Sequence, residues 1–212
     1  VRQPNLPLQA VIDAARRDGR RIVHVRFGLR EPWLDHQAGV ESRVIDPTIG
    51  FESFTVEVMD LHAEVGRLAF YVFDPLTDLH QAWNSDLMVM NFFQIICPRL
   101  FELDTIAYFA LLRHEHTFAT VAGIRETTQL LLDLHRIDDE LYVQPLKVWR
   151  RHSPTMFFPH LLSGGDAISL TSSGVTASLF ASVARRIDSP EPWERHVDEA
   201  WGALTGSAEV QA

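Results

Sequence analysis

The sequence predicts an α/β fold: a largely parallel sheet with helices on both faces and an antiparallel edge. Three observations carry this expectation. Strand-like and helix-like segments alternate along the body of the 212-residue chain. Residues 68–73 (LAFYVF) form an unbroken apolar run, as a strand covered on both faces requires. The last two strand-like segments, 141–149 and 155–162, follow each other with no helix between them, which suits antiparallel neighbours.

Taken in order, residues 7–18 read as an amphipathic helix. Leu8, Val11, Ile12 and Ala15 share a face, Pro7 suits the first turn and Gly19 the stop. Residues 21–27 (RIVHVRF) alternate and read as a strand, and 28–39 as a loop. Residues 43–46 are a short strand candidate closed by Pro47. Residues 50–65 place Phe51, Phe54, Val58, Leu61 and Val65 at helical spacing. After the strand 68–73, residues 85–103 predict a long helix with Ser85 as N-cap, Asp86 favourable to the dipole, and Pro98 expected to kink it or end its regular part. Residues 105–112 (TIAYFALL) read as a second buried strand and 124–135 as a helix. Two strands then flank the basic turn 150–154. Residues 163–190 are rich in Ser, Thr, Gly and Ala, with a helix expected at 175–185 and an amphipathic segment at 193–204. The expected organisation is one α/β core over 1–162, with 163–212 packed on or trailing it.

Composition excludes several classes. Hydrophobic residues make up 46% and charged residues 22%, which is globular rather than disordered. A net charge of -9 argues against a generic nucleic-acid binder, which needs a basic surface. Cys97 is the single cysteine, so no internal disulfide and no cysteine-based zinc cage can form. A reducing, cytoplasmic setting is expected. The apolar runs are short and broken by charge, so no membrane span is expected. Val1-Arg2-Gln3-Pro4 lacks a signal pattern, and the missing initial Met fits a fragment or a processed form.

Ligands of open α/β sheets sit at the carboxyl ends of strands. The ends to inspect are therefore 28–31, 74–78, 113–116 and 147–153. Asp74 closes an apolar strand, the pattern of an aspartate that holds magnesium or its water beside a nucleotide. The same placement equally suits a turn or helix cap. Arg113, His114 and His116 form a polar cluster at another strand end. His114 and His116, with His152 or His24 as a third ligand, could hold a metal, but ordinary polar roles suit these residues better, and the sequence assigns no metal site. Lys147, Arg150 and Arg151 form a compact basic cluster, read either as an anion clamp reaching a neighbouring subunit or as a solvated turn.

The most specific motif result is negative. A phosphate loop needs G-x-x-x-x-G-K-[ST], whose backbone N–H groups and lysine surround the phosphates. Lys147 is the only lysine and is followed by Val148. Residues 2–6, before the first helix, contain no glycine and one proline, with Pro7 next. No G-x-S-x-G and no G-x-G-x-x-G occurs either, so a serine hydrolase and a dinucleotide site are not expected.

Four stretches together carry a resemblance: 68–79 (LAFYVFDPLTDL), 83–118, 124–136 (IRETTQLLLDLHR) and 141–162 (LYVQPLKVWRRHSPTMFFPHLL). In order and spacing they resemble RecA/KaiC-type ATPase domains. More closely, they resemble a degenerate RecA-like domain found ahead of catalytic domains in phosphoenolpyruvate synthase and pyruvate-phosphate-dikinase-like bacterial proteins. The resemblance covers about residues 8–162 and implies a RecA-like P-loop NTPase fold. It makes Asp74 the Walker B aspartate and matches Lys147 and Arg150 to a K-x-x-R segment that reaches a neighbour's nucleotide. The paired glutamates expected after the second strand have no match, since Phe27-Gly28-Leu29-Arg30 stands there and Glu31 is displaced. With the loop and the base both missing, the resemblance implies no catalytic residue and at most weak ATP or ADP binding with magnesium. It also implies homo-oligomers or phosphoenolpyruvate synthase-like catalytic domains as partners. The alternative is a KaiC-like ATPase whose phosphate loop lies upstream of Val1 or is supplied in trans.

Overall fold

A computed structural model describes residues 6–30, 34, 38–112, 115–137, 140–162, 168–170, 176 and 181. The chain divides into two compact units, Val1–Thr127 and Thr128–Ala212. The division falls inside the 1–162 stretch read from the sequence as one core.

The first unit holds α1 (Leu6–Arg17), β1 (Ile22–Arg26), β2 (Val40–Val44), a 3-10 turn (Pro47–Ile49), α2 (Phe51–Val65), β3 (Phe70–Phe73), α3 (Leu76–Trp83), α4 (Asp86–Glu102), β4 (Ile106–Tyr108) and α5 (Phe118–Thr127). Its four strands are all parallel, in the order β2-β1-β3-β4. β1 and β3 are central, and β3 is buried along its whole length, but it is shorter than the apolar run: Leu68 lies exposed in a turn with positive φ ahead of it. Side chains alternate between the two faces of a strand. Val23, Val25, Tyr71 and Phe73 pack with Phe54, Val58, Phe92 and Ile96 of α2 and α4 in one cluster. Ile22, Phe70 and Val72 pack with Leu8, Ile12 and Ala15 of α1, and with Leu34, in the other.

Connection handedness explains this split. The chain passes from β2 to β3 and from β3 to β4 in the same direction across the sheet. A right-handed crossover therefore puts α2 and the α3–α4 pair on one face. The step from β1 to β2 runs the opposite way, and Leu34 in that connection is buried with α1 on the other face. The direction reverses between β1 and β3, which makes their carboxyl ends a topological switch point.

The second unit holds β5 (Leu130–Ile137), β6 (Glu140–Val148), β7 (His160–Leu162) and β8 (Ile168–Leu170) in an antiparallel sheet of that order. Three expectations are corrected here. The antiparallel strands pair with one another in their own sheet instead of edging the parallel one. The helix expected over 124–135 is two elements: α5 stops at Thr127, and 130–137 is a strand registered against β6 from Leu130↔Val148 to Ile137↔Glu140. A short leucine run has no decisive period of its own, and the partner strand settles it. The second buried strand is shorter and less covered than its apolar sequence suggested, because β4 sits at the sheet's edge. The helix α3 and the strand β8 had no counterpart in the sequence reading. Of the expected helix at 175–185, only Thr176 and Ala181 lie within the described residues, both helical. The segment 193–204 lies outside them.

Ser85 caps α4 as expected, its hydroxyl accepting from the Met88 N–H, and the helix continues through Pro98 to Glu102. No helix among the described residues is long and apolar enough to cross a membrane.

A candidate functional site at the carboxyl edge of the parallel sheet

Asp74 follows the last residue of β3 at the switch point and is fully buried. Its Oδ2 accepts from the Phe27 backbone N–H at 3.0 Å, and its Oδ1 lies 3.1 Å from His24 Nε2 in β1. Both carboxylate oxygens are therefore engaged by the neighbouring strand. The Asp74 N–H in turn donates to the Val25 carbonyl, extending the β1–β3 ladder by one residue. The carboxylate ties the ends of the two central strands together.

One turn further on, Asp78 in α3 is also buried and takes a bidentate pair from Arg30, at 2.5 and 2.6 Å. Fork-on-fork geometry of this kind fixes orientation as well as charge. Arg30 lies in the loop after β1, so the pair fastens that loop to α3. Hydrogen bonding to Asp78 raises the Arg30 pKa, against the opposing effect of burial.

The third group spans α3, α4 and the turn before α5. Asn84 ends α3 in the left-handed region (φ 48°), and the chain then enters α4 at once. This tight corner sets Asp86 in the first turn of α4 within reach of His80 in α3. Asp86 Oδ1 lies 2.7 Å from His116 Nδ1, and its Oδ2 accepts from the Thr117 N–H at 2.6 Å. Burial works to raise the Asp86 pKa, but the hydrogen bonds from His116, Thr117 and Thr120 outweigh it and the pKa falls below its ordinary value. On the far side of the ring, His116 Nε2 meets Thr77 Oγ1 at 3.0 Å, and Thr77 accepts from the Leu112 N–H at 3.1 Å. His80 packs its ring against His116, with centroids 5.7 Å apart.

The residues singled out from sequence that are described each have a definite place. Asp74 joins His24 and Phe27. His116 joins Asp86, Thr77 and His80, while Arg113 and His114 lie outside the described residues. In the second unit, Lys147 is in β6, and Arg150 and Arg151 are exposed in the turn after it. Arg150 takes a left-handed backbone (φ 56°) and stacks its guanidinium 4.2 Å from the Trp149 ring. The strand ends marked for inspection contain Arg30, Thr77 and Asp78, but sequence reasoning gave none of them a role, missed His80, and read Asp86 only as a dipole partner. The available signal was D-P-L-T-D-L-H (74–80), where Asp74 and Asp78 frame an unrecognised helix start.

Among known proteins, no family model and no curated sequence matches this chain.

Proposed function

We propose that this chain is a RecA-like module that does not hydrolyse ATP and serves a regulatory, docking or assembly role. It acts beside phosphoenolpyruvate and pyruvate phosphotransfer enzymes, in the same polypeptide or as their partner, in a reducing cytoplasmic setting. The observation that carries the reading is Asp74, whose two oxygens are engaged by His24 and Phe27 at the place where a Walker B carboxylate would hold magnesium. The missing phosphate loop supports it from the sequence. Phosphoryl transfer rests on positioned donors around phosphates and metal, and each preorganised donor is worth roughly 3 kcal/mol in rate. Without the loop N–H groups, its lysine and a base, turnover is negligible and only weak ATP or ADP binding survives.

Calorimetry with magnesium-ATP, combined with a phosphate-release assay, tests this reading. Weak or absent heat with no phosphate release is expected. Micromolar binding with sustained release would overturn it.

A second reading keeps the ATPase and places its phosphate loop upstream of Val1 or in another chain. The sheet edges favour it. Among the described residues, β4 pairs only with β3 and β5 only with β6. Ile106 on one edge and Leu130 and Leu132 on the other are exposed. An unpaired apolar edge is a template for a further strand. ATPase activity from the product of the full reading frame, absent from this chain alone, would select this reading.

A further inference from the structure

We propose that His80, Asp86 and His116 form a binding site for a divalent transition metal of the zinc class. The three side chains come from three separate segments and offer ligand atoms that all lie within 4.8 Å of one another. Tetrahedral zinc with bonds near 2.0–2.1 Å separates its donors by about 3.3 Å. His116 Nδ1 and Asp86 Oδ1 already meet at 2.7 Å, so an ion takes the place of that hydrogen bond, opening the pair by roughly 0.6 Å while His80 turns in to supply the third donor.

The surroundings are built for ligation. A ligating histidine holds its second nitrogen on a fixed partner, which sets ring orientation and tautomer. His116 does this through Thr77, itself anchored by the Leu112 N–H. Asp86 is oriented in the same way: the Thr117 N–H takes Oδ2 and leaves Oδ1 facing the cluster. His80 contributes the third donor. Its ring stacks on His116, and among the described residues its nitrogens make no hydrogen bond or ion pair.

The donor set selects the ion. Two imidazoles and one carboxylate suit zinc, cobalt, nickel or ferrous iron. They suit magnesium and calcium poorly, since those ions prefer all-oxygen shells. Three protein ligands leave one tetrahedral position for water or a substrate oxygen, the pattern of an open site. The inference does not depend on the nucleotide reading, because no residue of the cluster belongs to the Asp74 clamp.

The test is titration of the untagged full chain with cobalt, read by visible absorption, and with zinc, read by calorimetry. The expected result is one equivalent bound at micromolar affinity or tighter, with an intense tetrahedral cobalt spectrum. His80→Ala should lose about tenfold or more of the affinity while keeping the native melting temperature, since His80 supports no hydrogen bond here. Thr77→Val should weaken binding by about tenfold through the orientation of His116. His152→Ala and His160→Ala should leave it unchanged. Absence of binding by the wild-type chain would overturn the proposal, as would binding that His80→Ala leaves intact. If His116→Ala fails to fold, the His80→Ala result alone decides.

Discussion

His62 shows how burial sets the chemistry of a single residue in this fold. Its imidazole is fully buried in α2 against the Tyr71 ring, and among the described residues neither nitrogen has a hydrogen-bond partner. Burial, with a smaller contribution from Arg99, lowers its pKa from 6.5 to about 4. The folded protein therefore holds His62 neutral where the unfolded chain protonates it. Stability is fully present above pH 6.5 and falls as the pH drops toward 4, by about 3 kcal/mol in all. Urea titrations at several pH values should show that slope, and His62→Phe should flatten it. Cys97 follows the same logic. Burial pushes its thiol up to about 12, so thiolate is scarce at neutral pH. Alkylating reagents should leave the native chain unmodified and label it stoichiometrically in urea. At Asp78, removing Arg30 is predicted to cost more than neutralising the acid. Arg30→Ala strands a buried carboxylate and should cost roughly 2 kcal/mol, held down by the half-exposed guanidinium, whereas Asp78→Asn leaves no charge behind.

Elements with a long, strong period were legible in the sequence, and those defined by a partner were not. The helices α1, α2 and α4 appear close to their expected bounds because each has an apolar stripe and a recognisable end, such as Ser85. The strands β1 and β3 were legible from alternation and from the apolar run. The segment 130–137 was not, because Leu130-Leu131-Leu132 fits a helix face as well as a strand until β6 is placed beside it. Hydrogen exchange separates the two at single-residue resolution. A strand paired on one side protects alternate amides, so 132–137, beyond the register break at Leu131/Leu132, should show slow and fast exchange in alternation. Uniform protection through the segment would restore the helix. The helix α3 stayed hidden for a related reason. Pro75 stands at its start and contributes no side-chain cap, and the helix runs for only eight residues.

For the molecule as a whole, the sequence conveyed the class of the fold and the strand end carrying Asp74, but not the company that end keeps. The partners of Asp74 lie 47 and 50 positions back along the chain, and those of His116 lie 30 and 39 back. No local pattern encodes such pairs. They follow from the order β2-β1-β3-β4, which brings the carboxyl ends of β1 and β3 together, and from the α3–α4 corner. On this view Asp74 belongs to the scaffold, closing the switch point where other α/β proteins open a ligand crevice. Denaturation of Asp74→Asn beside the wild type, with and without magnesium-ATP, tests that claim most directly. The expected result is a loss of about 1–3 kcal/mol for the variant, since an amide offers one acceptor where the carboxylate offers two and weakens the buried hydrogen bonds to Phe27 and His24, and no stabilisation of either chain by nucleotide. An Asp74→Asn chain as stable as wild type, in which only the wild type gains stability from magnesium-ATP, would contradict it and make Asp74 a metal-holding residue.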